Sequence, residues 1–252
     1  MTTPKLSALV VAHNEEAQLA DCLETLRFAD EIVVVLDRCT DRSREIAARY
    51  TDRLLEGAWP VEGARRNEGI AFCSGDWILE IDADERVTPA LAAEIRTALA
   101  NARPGYFIIP FHNYVGDHLV RHGWGAYWGV SAKAALFSKG MKHWGSQRVH
   151  PAIEMRGEKQ MLTQPILHYV DRNISDMIQR LDRYTTARAA DLRESGDIGS
   201  LGANLRRVFS RFYKCYIRRK GYREGQYGLL IALMAGLYPI LSYLKANLEK
   251  DS

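Results

Sequence analysis

The sequence predicts an α/β fold, with a mainly parallel sheet flanked by helices and then a helical, basic C-terminal extension. Three observations carry that expectation. Over roughly the first hundred positions, short apolar runs alternate with helical patterns of about ten to fifteen residues, the arrangement of βαβ units. The 252 residues, 47% of them apolar and 26% charged, can build one sizeable α/β domain plus an extension. Beyond Asp171 the strand patterns stop and cations accumulate. Residues 171–252 carry 15 Lys+Arg against 9 Asp+Glu, or +6, in a chain whose net charge is +3. Residues 1–170 therefore read as the first domain, in halves 1–100 and 101–170, and residues 171–252 as the extension.

Taken in order, Leu6–Ala12 is an apolar run and the first strand. Residues 14–26 have helical spacing, with Ala17, Leu19, Cys22, Leu23 and Leu26 on one side. Glu31–Leu36 is β-branched, as buried parallel strands are. Thr40 is placed to cap a helix over residues 41–50, and Arg53–Leu55 is a short strand. Residues 62–73 are helical in pattern, and Trp77–Ile81 is the next strand. Thr88-Pro89 is an N-cap residue followed by proline at the first helical position, starting a helix that runs to about Ala100. Strand-like pieces at 106–111, 134–137 and 166–169 are then separated by Gly- and Trp-rich loops. Ser175 is the expected cap of a helix over residues 176–194, closed by Ser195-Gly196.

Chemistry concentrates where these strands end. The apolar run Trp77–Ile81 leads straight into Asp82-Ala83-Asp84-Glu85. Along an extended chain residues i and i+2 point the same way, so Asp82 and Asp84 are expected to face one site at the carboxyl edge of the sheet, where open α/β folds bind ligands. Two hard oxygen ligands suit Mg2+ or Mn2+, which neutralise charge on a departing diphosphate. The first strand ends in Ala12-His13-Asn14-Glu15-Glu16 and the second in Asp37-Arg38-Cys39-Thr40-Asp41. Asp37 could accept the N3–H of a uracil, and Glu15 could accept from ribose or base. Asp41 reads as a helix N-terminal acid. A glycine-rich dinucleotide fingerprint and a Walker loop are both missing, so metal and basic side chains must hold any nucleotide, with Arg65 or Arg66 reaching the diphosphate. His168 is a further metal or diphosphate contact, although a lone His at a strand end is more often structural. The four scattered cysteines, without C-x-x-C, argue against a zinc site or disulfide framework and for a reducing cytosol.

With Asn14-Glu15, Asp37-x-x-x-Asp41, Gly63-x-x-Arg66-Asn67, Ser74-Gly75-Asp76-Trp77 and Asp82-Ala83-Asp84-Glu85 in this order, residues 6–100 resemble the GT-A (Rossmann-like) nucleotide-sugar domain of family 2 inverting glycosyltransferases. His122-Gly123-Trp124, Ala135-Leu136-Phe137, Trp144, Val149-His150, Leu167-His168-Tyr169 and Arg183-Tyr184-Thr185 resemble the branch containing lipopolysaccharide inner-core heptose β-1,4-glucosyltransferases. The resemblance implies transfer of a sugar, glucose in that branch, from a UDP-sugar to a hydroxyl of lipopolysaccharide core or a related lipid-linked glycan, using Mg2+ or Mn2+. It makes 1–100 the nucleotide half and 101–170 the acceptor half. Ala12, Asn14, Glu15, Asp37, Arg66, Asp82 and Ala83 would bind the nucleotide-sugar, with Asp37 on the uracil. Asp84, Asp82 and His168 would bind the metal. Inversion at a hydroxyl needs a general base, and His150, Glu154 and Asp117 are the candidates. Trp124, Tyr127 and Trp128, in the loop 123–129, read equally as a sugar-stacking surface or a small satellite core.

The C-terminal third holds a basic segment with interleaved aromatics, 204–223, and an uncharged apolar run, Tyr227 to Leu244. Together they fit an anionic membrane surface better than RNA, so no nucleic-acid partner is expected. Pro239 would kink a spanning helix, and a helix in the interface or docked on the protein is preferred to one that spans. Packing in a homo-oligomer is the alternative. The expected location is the cytoplasm, on the inner face of the cytoplasmic membrane. Two rival functions are transfer to a polyprenyl phosphate, which needs no strong base, and a non-catalytic membrane- or RNA-binding module.

Overall fold

A computed structural model describes residues 4–125, 128–147 and 151–249. The chain divides into two compact units, one formed by residues 4–111 and 132–168 and the other by 112–131 and 169–249. The sequence division at residue 170 placed 112–131 with the first unit; the structure groups them with the C-terminal helices.

The first unit opens with β1 (Leu6–Ala12), α1 (Leu19–Glu24), β2 (Glu31–Asp37), α2 (Ser43–Ala47), β3 (Leu54–Gly57), α3 (Glu62–Phe72) and β4 (Trp77–Asp82). It continues through β5 (Glu85–Val87), α4 (Pro89–Leu99) and β6 (Gly105–Val115). After β7 (His118–Val120), which belongs to the second unit, come β8 (Ala132–Ser138), β9 (Lys142–Trp144), β10 (Ile153–Met155), β11 (Glu158–Met161) and β12 (Ile166–Asp171). The main sheet runs β3-β2-β1-β4-β8-β6-β12-β5, with β11 also on β6.

The sheet is parallel where the sequence predicts it and mixed beyond. β1 pairs in parallel with β2 and β4, and β2 with β3. β8 is antiparallel to both β4 and β6. Burial follows the same division. Every residue of β1 is buried, as in a strand covered on both faces, whereas β6 alternates buried and half-buried positions along its length. The register Val11↔Asp82 and Ala12↔Leu36 brings the ends of β1, β2 and β4 to one edge.

Helix α4 begins as predicted, with the Thr88 side chain accepting from the Leu91 N–H and Pro89 at N1. Three other starts differ. α1 begins at Leu19, because Asn14 adopts φ +56° and the N–H groups of Glu15 and Glu16 are held by Ser43 and Asp41. Thr40 does not cap α2. Its N–H donates to Asn14 Oδ1 at 2.7 Å, and the helix begins at Ser43, whose N–H Asp41 accepts at 2.9 Å. In the second unit α5 (Ile174–Ser195) is capped by Asn173 rather than Ser175, and ends at Gly196 with φ +69°.

The second unit then contains α6 (Leu201–Tyr213), a π-helical turn (Lys214–Arg218), a 3-10 turn (Gly221–Glu224) and α7 (Gly225–Leu248). Its core joins Trp124 and Trp128 to Met177, Leu181, Cys215, Ile231 and Ala235. Of the two readings of the aromatic loop, Trp124 and Trp128 take the satellite core. Trp128 is fully buried with the Arg180 guanidinium 4.1 Å from its ring centroid, and Trp124 Nε1 donates to the Val120 carbonyl. Tyr127 lies outside the described residues.

The tightest glycine contact in the first unit, among the described residues, is α3 against the segment after β9, which pairs with β10 in a separate two-stranded sheet. A Cβ on Gly63 would stand 1.9 Å from the Gly145 carbonyl oxygen. Gly63→Ala is therefore expected to lower stability by about 1–3 kcal/mol, the usual cost of overpacking, despite alanine's better helix propensity. A urea melt of the two proteins measures it; equal midpoints would show that α3 can shift freely.

Candidate active site

The shared edge of β1, β2 and β4 collects the acids named by the sequence. Asp37 ends β2 and is 1% exposed. It accepts from Arg38, from Arg65 Nη1 at 2.9 Å and from the Trp59 N–H at 3.2 Å. Burial pushes its carboxyl up, but the Arg38 and Trp59 hydrogen bonds and the charges of Arg65 and Arg38 outweigh it and hold Asp37 below the usual carboxylate range. Ala12 ends β1, and His13 Nδ1 lies 2.6 Å from the Asp37 carbonyl oxygen. Asn14 binds the loop after β2 through Thr40, so this side chain shapes the edge of the site.

Asp82 ends β4, and the chain then turns at Ala83-Asp84 into β5. Asp84 therefore reaches the site from a turn rather than by strand alternation. Arg66 Nη2 and Lys133 Nζ approach Asp82 at 2.9 and 3.2 Å. Burial opposes its ionisation, but those two cations win and keep it well below its ordinary value. Glu85 is 1% exposed and accepts from Lys133 at 2.7 Å and from the Asp82 N–H. The antiparallel ladder of β12 on β5 pairs His168 with Glu85, and this places His168 Nε2 3.4 Å from Asp84. Burial lowers the His168 pKa, but the Asp84 carboxylate overrides that and raises it.

The structure adds detail to two site assignments. The sequence grouped Asp82, Asp84 and His168 around a metal. The structure brings Asp84, Glu85 and His168 within 4.8 Å of one another, while Asp82 is engaged by two cations. Arg66 is engaged by acids of its own unit. Its guanidinium is held by Glu62, Glu80 and Asp82 and lies 4.7 Å from the Trp144 ring, because Glu80 is buried in a central strand and requires a partner there. Arg65, on the same helix, serves Asp37 instead.

Glu15 follows β1. Burial, with the nearby charges of Asp84, Asp82 and Asp41, raises its carboxyl from 4.5 to about 7. With two carboxylates and an imidazole within reach, these residues fit a hard divalent ion. Among the base candidates, Glu154 is exposed on β10, with Arg156 at 3.8 Å. Asp117 is exposed in the turn between β6 and β7 of the second unit. His150 lies outside the described residues. The sequence reading missed Lys133, half-buried on β8, and Lys142, buried on β9. A lysine within an apolar strand pattern was the available signal.

The profile of Glycosyl transferase family 2 matches residues 7–150, more than half of the chain. The chain belongs to this family. It is a glycosyltransferase with an α/β GT-A fold. Among its relatives, the lipopolysaccharide core biosynthesis glycosyltransferase LpsC of Rhizobium meliloti (strain 1021) is 26% identical over 254 residues, spanning 95% of this chain and 91% of LpsC. An uncharacterized glycosyltransferase of Rickettsia felis is 21% identical over 91% of this chain and 85% of its own. Among solved structures, residues 1–349 of S. aureus TarS align with a TM-score of 0.50 at 13% identity, covering 94% of this chain and 81% of that one. In this family 2 enzyme the acids at the ends of β2 and β4 thus sit on a glycosyltransferase scaffold.

The Glu15 environment has a pH signature. A carboxyl whose pKa is raised by folding contributes stability that is complete below its unfolded value of 4.5 and is lost as pH rises through about 7. Glu15→Gln should therefore match the parent at low pH and become the more stable protein above neutrality. Paired thermal melts across this range, with chelator present, check it. A constant difference at all pH values would mean that Glu15 ionises normally.

Proposed function

We propose that this enzyme transfers glucose from UDP-glucose to a hydroxyl of lipopolysaccharide core or a related lipid-linked glycan, with inversion and with Mg2+ or Mn2+. The observation that carries the donor half is the end of β4. There Asp82 is fixed by Arg66 and Lys133, while Asp84 and His168 face each other at 3.4 Å. The acceptor class is supported by the likeness to LpsC along nearly its full length.

Asp84, with His168 and Glu85, would hold the ion, which when bound supplies positive charge beside the leaving diphosphate. The chain's own residues do the rest. Asp37, kept ionised by Arg38 and Arg65, is set to accept the uracil N3–H. Ala12 and Asn14 line the same edge, and Asn14 fixes the loop after β2. Asp82 and Ala83 would meet the ribose. Arg66 acts through Asp82, holding its carboxylate in place. Glu15 is positioned for the ribose or base. A general base, drawn from His150, Glu154 and Asp117, would take the proton of the attacking hydroxyl.

Asp84→Asn keeps shape and removes charge. Transfer should fall by at least about a hundredfold, the scale of charge stabilisation at a leaving group, while the protein still folds, since Asp84 is half-exposed. Glucose transfer from UDP-glucose to purified core oligosaccharide, measured with and without Mn2+, tests the reading, alongside UDP-galactose and GDP-mannose as donors. Near-normal turnover of folded Asp84→Asn, or transfer unaffected by chelation, would remove the metal.

His150→Ala, Glu154→Gln and Asp117→Asn separate the base candidates. The variant lacking the base should lose turnover by about a hundredfold or more at saturating donor while nucleotide affinity holds. Unchanged turnover in all three would point to an acceptor that is already anionic, such as a polyprenyl phosphate.

A further inference from the structure

The helices of the second unit leave a large apolar surface uncovered. On α6, Leu201, Leu205, Phe209 and Tyr213 recur every fourth residue and are exposed, Phe209 to 74%. On α7, Leu229, Leu233 and Leu237 do the same. Recurrence at four places each series on one face of its helix. Other faces are already used: α6 buries Asn204, and α7 buries Ile231, Ala235 and Tyr238 in the core of the unit.

The two stripes lie on the same side of the helix pair. The helices meet where a Cβ on Gly236 would stand 3.1 Å from the Val208 carbonyl oxygen and 3.8 Å from Phe212 Cβ. Leu205 and Phe209 are three residues before and one after Val208. Leu233 and Leu237 are three before and one after Gly236. At 3.6 residues per turn, both pairs stand about 60–100° round from the seam in the same rotational sense. Gly228 of α7 approaches Gly221 and Gly236 approaches Val208, so the partner numbers fall as those of α7 rise and the two segments run antiparallel; in an antiparallel pair equal offsets fall on one side. The leucines and Phe209 therefore border a single outer face.

The helices that carry that face are strongly basic. Residues 201–248 hold nine Lys+Arg and one acid, Glu224. Glu224 is occupied, its Oε1 accepting from the N–H groups of Arg121 and His122 at 3.1 and 3.0 Å. Arg206, Arg207, Lys214, Arg218 and Lys220 are exposed.

We infer that this outer face of α6 and α7 docks in the plane of an anionic lipid bilayer, the aliphatic side chains entering the headgroup–acyl boundary and the cations meeting lipid phosphates. Charge complementarity selects this occupant. A second copy would bring two strongly basic surfaces together. RNA would engage the cations but leave the leucines without an apolar partner. Spanning is a poor alternative. The 24 residues of α7 are long enough, but half of its apolar window is buried inside the unit, and crossing the bilayer would expose that core to lipid. The inference is independent of donor and metal.

Co-sedimentation of the full chain with phosphatidylcholine vesicles, with and without phosphatidylglycerol, tests it. Binding should require the anionic lipid and weaken with salt, yet persist in part at high salt, because screening does not act on apolar insertion. The variant L205E/F209E/L233E should partition at least about tenfold more weakly while retaining UDP binding and a cooperative melt. If that variant fails to fold, Phe209→Ser alone, at the most exposed of these positions, should still reduce partitioning. Wild-type protein that ignores anionic vesicles, binds neutral ones equally, or binds unchanged after these substitutions would overturn the inference. So would a dimer in solution that L205E/F209E/L233E dissociates, or RNA binding that outcompetes vesicles.

Discussion

Glu80 is a carboxylate in the middle of a central strand, 1% exposed, and much of the site follows from the need to match it. Arg66 reaches it from α3, and Lys142 from β9 at 3.0 Å. Trp144 Nε1 donates to its other oxygen at 3.2 Å. Removing one partner of such a buried pair typically costs about 3–5 kcal/mol, since the remaining charge is left uncompensated. The same demand continues along the strand, where Asp82 shares Arg66 with Glu80 and shares Lys133 with Glu85. β4 is thereby tied by charge to α3, β8 and β9. Two hydrogen bonds between Asn67 and Trp144 and the close approach at Gly63 fix α3 there.

This pairing consumes the cations beside β4 and leaves an acidic surplus just beyond it. Asp84 has the His168 imidazole beside it, and Glu15 is pushed toward neutrality first by burial and then by Asp84, Asp82 and Asp41. In the proposed reaction a divalent ion would meet these acids and supply positive charge at a leaving diphosphate. The loop after β1 contributes by giving up helix. The left-handed Asn14 and its hold on Thr40 keep residues 14–18 out of α1, so that Glu15 stays at the sheet edge.

The second unit is organised differently. Its core is a small aromatic and aliphatic cluster in which Arg180, paired with Asp171 at 2.6 Å, lies over Trp128. α7 has apolar residues on every side, which is the pattern of a helix with two apolar environments. One face belongs to its own unit, and the other is shown to the outside together with the stripe of α6.

The strands β1, β2 and β4 were legible in the sequence because continuous apolar runs between turn signals depend only on neighbouring residues. The acids at their ends were legible for the same reason: Asp37, Asp82 and Asp84 follow those runs directly. Thr88-Pro89 marked α4 because a cap is a contact over three residues. The basic, helical character of the C-terminal third was likewise plain in the composition. What the sequence could not decide depended on sheet order. Lys133 lies 48 residues from Glu85, and His168 meets Asp84 only because β12 pairs with β5. The inward turn of Arg66 was set by Glu80, whose burial in a central strand no local pattern reveals. The cap expected at Thr40 is absent because Asn14 holds the Thr40 N–H and Asp41 accepts from Ser43, and the cap expected at Ser175 passes to Asn173, whose side chain accepts from the Asp176 N–H. Local periodicity thus determined the elements and the acids at their tips. Only tertiary pairing decided which charges are spent on one another and which remain for a ligand, because an ion pair depends on distance in space and the chain records only distance along itself.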